Sequence, residues 1–456
     1  MRILIYGLNF HPEPTGVGKY TGEMADWLAA RGHEVRVVTA PPYYPQWRPF
    51  PGYRAWSYSR ERIRLRNNNG KRSDAHLAPG PDVEVFRCPI WVPENPNGAK
   101  RLIHLASFGL SSVPAIMLQA GWSPDVVLLI EPTLFCALQT LLIARWSGAK
   151  AWLHIQDLEV DAAFELGDLS SSWVRDSAFA VERRMLSRFD RVSAISHRMV
   201  DRLCAKGVEP SRCILFPNWV DTREIYPLAG PSPLRKELGI TESTVVALYS
   251  GSMGKKQGLN LLVDAARKLS HRPGLRFVFC GEGPGKQVFV DNAMDLPNVS
   301  LLPVQPACRL NDLLNLADIH LLPQLSDAAD LVMPSKLTGM MASGRAIVAT
   351  ARPGTQLFGA LEGMGFVTPP EDVETFVSTL LRLAEDPSLR KQFGQEARKY
   401  AISHLNCDEI LYQFERSLAS ACGIPLSDVG TGPSSMQRGN LAVEESPMPV
   451  GNSADD

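Results

Sequence analysis

The sequence predicts an α/β chain of two doubly wound parallel-sheet domains. Three observations carry that expectation. Short β-branched or leucine-rich runs alternate with helical patterns over most of the chain, as expected for strands whose two faces are covered by crossover helices. The alternation breaks at a proline-rich stretch, Pro217–Pro233, and then restarts. At 456 residues the chain also exceeds what one ordinary core fills.

In the first half the candidate strands are Arg2–Tyr6, Glu34–Thr39, Val83–Phe86, Val126–Ile130, Ala151–Ile155 and Arg191–Ile195. Helical patterns such as Tyr20–Arg31 and Leu134–Ser147 separate them, and Gly32 stands just past the first helix, where a glycine end cap belongs. Prolines 217, 227, 231 and 233 mark the linker. New strands follow at Val245–Tyr249, Arg276–Cys280, Val299–Leu302, Ile319–Leu322 and Ala346–Ala349. The expected organisation is a first domain over 1–216, a linker over 217–233 and a second domain over 234–395. A terminal helix over 396–422 is expected to pack back on the first domain. From Gly423 to residue 456, Gly, Pro, Ser and acidic residues replace any hydrophobic periodicity, which predicts a disordered tail.

A formal net charge of −1 gives no cationic field for nucleic acid. A local basic stretch, Arg60, Arg62, Arg64, Arg66, Lys71 and Arg72, fits either a solvated loop or a patch for anionic lipid or phosphate. The eight cysteines are scattered without a CxxC pair, which suits buried thiols in a reducing cytosol. The chain opens directly on a strand, so no signal peptide is expected and a cytoplasmic setting is. Leu102–Ala120 is largely apolar, but Pro114, His104, Gly109 and serines interrupt it. A packed or interfacial helix fits better than a membrane span, and Lys100-Arg101 at its start would suit anionic headgroups.

Ligands of open α/β sheets bind beyond the carboxyl ends of the strands, so the loops there hold the candidate site. The first, Gly7–Lys19, brings Gly16, Gly18 and Lys19 to the start of a helix expected near Tyr20. Its glycines come too late after the strand for a dinucleotide fingerprint; a phosphate-facing loop and a plain connection both fit. After Ala151–Ile155 stand His154, Gln156, Asp157, Glu159 and Asp161. A histidine and a carboxylate at a strand end can bond a polyol or handle a proton, with a structural histidine as the alternative. In the second domain, Tyr249–Gly258 supplies Gly251, Ser252 and Lys256 before a helix, the groups a diphosphate needs, without Walker spacing. Gly281, Glu282, Gly283 and Pro284 would make a tight turn against a ribose or base. Ser335 and Lys336 open a short helix, where an anion is stabilised.

The collinear order of these loops resembles the GT-B retaining glycosyltransferases of family 4 from Met1 to about residue 420. The stretches beginning at Ile3 (ILIYGLNFHPEPTGVGKYTGEMADWLAARGHEVRVVTAPPYYPQW), at His154 (HIQDLEVDAAFELGDL) and at Tyr249 (YSGSMGKKQGL) are similar to the colanic-acid-type, WcaI-like exopolysaccharide branch. Phe216–Asp221 resembles the family's PNGVD turn, and PSKLTGMMASGRAIVAT from Pro334 adds a further landmark. The resemblance implies two Rossmann-like domains facing across a cleft. The donor nucleotide sugar, UDP- or GDP-linked, is held mainly by the second domain and the acceptor by the first. It further implies that Lys256 contacts the diphosphate, His154 lies near the transferred sugar, and Gly16 and Gly18 face phosphate and acceptor. No metal or other cofactor is expected, since lysine and helix ends offset the leaving charge. Anomeric configuration would be retained by same-face attack, with the leaving phosphate accepting the proton.

Two departures from the family pattern matter. Ser252 stands where many members carry arginine. Leu331 and Gly339 stand where they carry paired glutamates. Lys336, and Asp327 or Asp330, are candidates to replace the missing contacts. The leading expectation is a transferase acting on a lipid-linked saccharide at the inner face of the cytoplasmic membrane, with peripheral membrane contact. The alternatives are a nucleotide-sugar epimerase or hydrolase on the same fold, or a non-catalytic sugar-binding subunit.

Overall fold

A computed structural model describes residues 1–63, 82–94, 98–132, 134–158, 172–254, 257–325 and 334–425. The first part of the chain runs β1 (Arg2–Gly7), α1 (Gly16–Ala30), β2 (Glu34–Thr39), β3 (Ser59–Ile63), β4 (Val83–Arg87), α2 (Gly98–Ser111), α3 (Val113–Leu118) and β5 (Val126–Glu131). It continues with α4 (Ala137–Ser147), β6 (Lys150–Ile155), α5 (Ser172–Leu186), β7 (Arg191–Ala194), α6 (His197–Ala205) and β8 (Cys213–Leu215). These strands form one sheet in the order β3-β4-β2-β1-β5-β6-β7-β8, parallel except for the β3–β4 pair.

The second part runs α7 (Pro233–Glu237), β9 (Val245–Ser250), α8 (Leu259–Lys268), β10 (Leu275–Cys280), α9 (Lys286–Ala293), β11 (Val299–Leu302), α10 (Leu310–Leu316) and β12 (Ile319–Leu322). Then come α11 (Lys336–Ala342), β13 (Ala346–Thr350), α12 (Gln356–Ala360), β14 (Gly365–Thr368), α13 (Val373–Glu385), α14 (Pro387–His404) and α15 (Cys407–Cys422). Its sheet has the order β11-β10-β9-β12-β13-β14, all parallel. The central strands read as continuous apolar runs because both faces are covered: every residue of β5 and of β13 is buried. The strand order reverses between β1 and β5 and between β9 and β12, which puts a crevice at the carboxyl end of each sheet.

The strands that periodicity misses are β3, β8 and β14, all at sheet edges. β3 (Ser-Arg-Glu-Arg-Ile) carries the charges that keep an edge from pairing further. The described part of the basic stretch is thus a strand, and Arg60, Arg62 and Arg36 all share Glu84 on β4 and its surroundings. Residues 64–72 of that stretch lie outside the described residues. Gly98–Trp122 is long and apolar enough to pass for a membrane span by length and composition. Here it is broken at Ser112, with Pro114 in the first turn of α3. Leu105, Phe108 and Ile116 enter the first core, while Leu102, Ile103, Leu110 and Leu118 are exposed.

The stretch from Pro387 onward is two helices. α14 stays with the second sheet: Ala397 and Ala401 pack on Met340, Met341 and Ile347. The chain then turns at Leu405-Asn406, and Asn406 caps α15 by accepting from the Glu409 N–H at 3.2 Å. α15 lays Ile410, Leu411, Phe414 and Leu418 on the first core beside Ile3, Trp152, Phe216 and Trp219. Phe414 stacks on Phe216 with centroids 3.8 Å apart. The two passages between the sheets touch each other. Val220 N–H donates to Leu405 O at 2.8 Å and Cys407 N–H to Val220 O at 3.2 Å, a parallel bridge of Val220 with Asn406. Of the expected tail, residues 426–456 lie outside the described residues.

α15 is fastened by a buried carboxylate. Glu415 receives Arg31 Nη2 at 3.0 Å and His33 Nε2 at 2.7 Å. Burial alone would raise the Glu415 carboxyl, but His33 and Arg31 outweigh it and hold it below its ordinary range. Its contribution to stability is therefore present above the ordinary carboxylate range and lost as pH falls through the depressed folded value. Glu415→Ala leaves two buried donors without their acceptor and should lower unfolding free energy by about 3 kcal/mol in a urea titration at pH 7. The difference from wild type should shrink in acid.

Candidate active site

On the second-domain side, the loop after β9 and the loop after β10 run backbone against backbone. Gly251 N–H donates to Cys280 O at 2.9 Å, Met253 N–H to Glu282 O at 2.8 Å, and Gly285 N–H to Met253 O at 2.8 Å. A Cβ on Gly281 would lie 2.0 Å from Gly251 O, and one on Gly283 2.5 Å from Met253 O. Gly251 and Gly283 also hold φ of +141° and +152°. The glycines expected to admit a ligand are thus first of all required by the contact between the loops. Glu282, expected to face the donor, is at the surface and paired with Lys286. Ser252 is exposed, and its carbonyl accepts from the Tyr249 hydroxyl. Lys256 lies outside the described residues, as do Asp327, Asp330 and Leu331.

Lys336 is the charge this wall presents. Its Nζ donates to Tyr249 Oη at 3.2 Å and sits 4.4 Å from the centre of that ring. It also lies against Gly251, whose Cβ would be 3.1 Å from Nζ. No carboxylate pairs with it among the described residues, and burial pushes its ammonium down to about 8. A half-buried ammonium with no carboxylate beside it among the described residues can take an anion at little further desolvation cost. Gly339 begins the explanation of the absent glutamate: a Cβ there would already be 3.2 Å from Leu314 Cδ1.

The first-domain side meets it directly. Tyr20 Oη on α1 donates to Ser335 O at 3.4 Å, and its ring stands edge-on to Trp219 at 5.1 Å. α1 begins at Gly16 rather than near Tyr20, so Gly16 and Gly18 belong to its first turn and not to a free loop. Gly18 is required by packing, since a Cβ there would lie 2.5 Å from Glu13 Oε2. Gly16, at φ +63°, faces the Tyr44 ring. Lys19, expected in the phosphate loop, lies on α1 and pairs along that helix with Glu23 at 3.6 Å.

His154 lies within β6, not in the loop after it. The ring is buried beside Phe216, 4.8 Å between centroids. Nδ1 is 3.0 Å from Ser193 Oγ, which also accepts Trp152 Nε1–H at 2.9 Å, and Gln156 Nε2 is 2.9 Å from Nε2. Burial pushes the imidazole down to about 3, so it is neutral at physiological pH and acts as a polar contact, not as a charged acid. Asp157, two residues beyond β6, is half-buried. Glu159 and Asp161 lie outside the described residues.

Sequence reasoning missed Glu13, Tyr20, Tyr44 and Tyr249. Glu13 is buried; its Oε1 accepts the Tyr43 and Tyr44 N–H groups at 3.0 Å each, and Oε2 accepts Asn9 Nδ2 at 2.9 Å. Burial pushes this carboxyl up to about 7 against those hydrogen bonds. Its visible signal was a carboxylate among prolines between strand end and glycines. Arg87, also buried, donates to Ala40 O at 3.0 Å and His11 O at 2.7 Å and pairs with Glu61.

The pattern of the "Glycosyl transferase 4-like domain" matches residues 15–219, and that of "Glycosyl transferases group 1" matches residues 232–400. The chain is 41% identical over 424 residues to the colanic acid biosynthesis glycosyl transferase WcaI of Escherichia coli (strain K12), covering 91% of this chain and 98% of that one. Among solved structures, a sucrose-phosphate synthase from Thermosynechococcus elongatus superposes with a TM-score of 0.69 at 16% identity over 92% of this chain and 99% of the other. HepE of Anabaena in complex with UDP superposes with a TM-score of 0.65 at 17% identity, covering 92% and 100%. These two likenesses establish the two-domain fold.

An ammonium that must be charged to hold an anion predicts a pH signature. Donor KM should be flat below pH 8 and rise above it, up to tenfold per pH unit, as Lys336 loses its proton. Lys336→Arg should flatten that rise, and Lys336→Ala should raise donor KM at pH 7 by about tenfold or more. Steady-state kinetics across pH 6.5–9.5 checks all three.

Proposed function

The chain belongs to the family of glycosyltransferases with the GT-B fold that includes the colanic-acid type, and from that premise we propose a retaining transferase of exopolysaccharide synthesis. In this reading a nucleotide diphosphate-sugar lies on the second-domain wall, and a lipid-linked saccharide approaches from the first. The observation that carries it is Lys336, a half-buried ammonium without a carboxylate partner among the described residues, beside Gly251 and one residue from the Tyr20–Ser335 contact. An amine there offsets the charge that develops on the leaving diphosphate, so the reading calls for no metal or other cofactor. His154, neutral and bonded at both ring nitrogens to Ser193 and Gln156, would bond the transferred sugar by exchanging its Gln156 contact for it. An imidazole held down to about 3 is too weak a base to take a hydroxyl proton near neutral pH, so in this reading the departing phosphate takes the proton of the attacking hydroxyl, which enters on the same face. Lys256 and the Gly281–Gly283 turn belong to the donor side of this proposal, and Gly16 and Asp157 to the acceptor side.

A membrane contact fits the same reading. α2 and the residues before α4 meet where Gly109 touches Phe135. Ile103, Leu110, Phe135 and Leu138 are exposed there, with Lys100 and Arg101 at the start of α2. Apolar residues beside basic ones are what an anionic leaflet attracts, which would hold a cytoplasmic enzyme at the inner face.

Incubation with UDP- and GDP-sugars and no acceptor should give slow hydrolysis of one donor, and NMR of the freshly released sugar should show the donor's own anomer first. Release of the opposite anomer would sink retention, and a free epimer would point to an epimerase. Flotation with vesicles containing anionic lipid should carry the protein upward. Leu110→Glu/Leu138→Glu should lower that fraction by about fivefold, while an unbound wild type would remove the membrane part.

A further inference from the structure

The cleft wall of the first domain holds one polar group that no role above uses. Tyr44 sits in the turn after β2, and its backbone N–H, with that of Tyr43, is fixed by the buried Glu13 carboxylate. Its ring lies over Gly16, where a Cβ would be 3.7 Å from Cε1. The residue is half-buried, and its hydroxyl has no hydrogen-bond partner among the described residues. Around that hydroxyl, within electrostatic range, are the Asp157 and Glu13 carboxylates and the Arg101 guanidinium. Thus the turn after β2, the loop before α1, the loop after β6 and helix α2 converge on one aromatic side chain.

We infer that Tyr44 is an acceptor-contacting residue that receives a saccharide ring, with Glu13 as its positioning residue. The inference rests on the acceptor-side reading proposed above and names the chemistry it selects. An aromatic face receives the C–H face of a pyranose. The phenol hydroxyl supplies a donor and an acceptor for the sugar's hydroxyls, with charges of both signs nearby. A lipid tail would cover the phenol hydroxyl and leave it without a partner. A phosphate would meet two carboxylates against one guanidinium. A sugar ring satisfies both the aromatic face and the polar groups, so the terminal sugar of the acceptor is the part this position reads.

The test is direct binding, independent of turnover. Saturation-transfer NMR titrations of the full chain use octyl β-glucoside and octyl β-galactoside as saccharide probes, octyl phosphate as anion control and UDP as donor-site probe. Wild type should bind at least one glycoside and prefer it to octyl phosphate. Tyr44→Phe, which keeps the ring, should weaken that glycoside by about fivefold, and Tyr44→Ala by about tenfold or more, with UDP binding unchanged within about twofold. Glu13→Gln should weaken the glycoside by about threefold, again without moving UDP. Equal glycoside affinity in Tyr44→Phe and wild type would overturn the role of the hydroxyl, and with it the proposal. So would binding of UDP without any glycoside, or octyl phosphate bound as tightly as the sugars. Absence of UDP or nucleotide-sugar binding would instead count against the transferase reading, while the Tyr44 comparison would still be read from the glycosides.

Discussion

Everything at the cleft depends on two short passages of chain being bonded to each other. Residues 216–221 leave the first sheet, residues 405–407 return to it, and Val220 pairs with Asn406 where they cross. Either strand alone would be a flexible connection. Together they form a hinge with its own hydrogen bonds, with Phe216 and Trp219 packed on the returning helix on one side. On the other side, Arg398 donates to the carbonyls of Thr222 and Ile225 at 2.8 and 2.7 Å. That is what lets Tyr20 on one sheet's helix reach Ser335 on the other at a defined distance, and what places Gly16 and Lys336 on facing walls.

The second-domain wall is made of main chain more than of side chains. Two loops approach so closely that only glycine fits at 281 and 283, and their amides are already spent on one another. Lys336 brings a charge to this wall from the second half of the sheet. At position 339 Leu314 occupies the approach that a larger side chain would need. The first-domain wall is built the opposite way. Buried Arg87 and Glu13 knit the loops after β1 and β2 together from beneath, so aromatic side chains are held over a charged floor.

The strand and helix alternation was legible wherever strands are buried on both faces, because such strands are unbroken apolar runs. β3, β8 and β14 were not legible, since an edge strand of three to five residues needs no such run. The start of α1 was read late because glycines at 16 and 18 look like loop; only the buried Glu13 beside Gly18 explains them as helix. His154 was visible as a residue type at a strand end, but its burial, neutrality and bond to Ser193 depend on a neighbouring strand far away in sequence. Tyr44 and Tyr20 carried no signal at all: their meaning lies in what the other elements bring within reach of them.

The returning helix α15 has a bearing on the order in which the molecule can be completed. Phe414 and Leu418 are part of the core around Ile3, Val37 and Trp152, so the domain that leaves the ribosome first lacks one wall until almost the whole described chain has been synthesised. Its sheet can pair early, but an apolar face stays open while the second domain forms, which is the circumstance in which nascent chains call on holding chaperones. The same long-range closure couples the two domains in unfolding. Lifting α15 exposes the first core and frees the hinge in one event, so loss of the catalytic cleft and loss of the first domain's integrity become a single cooperative step.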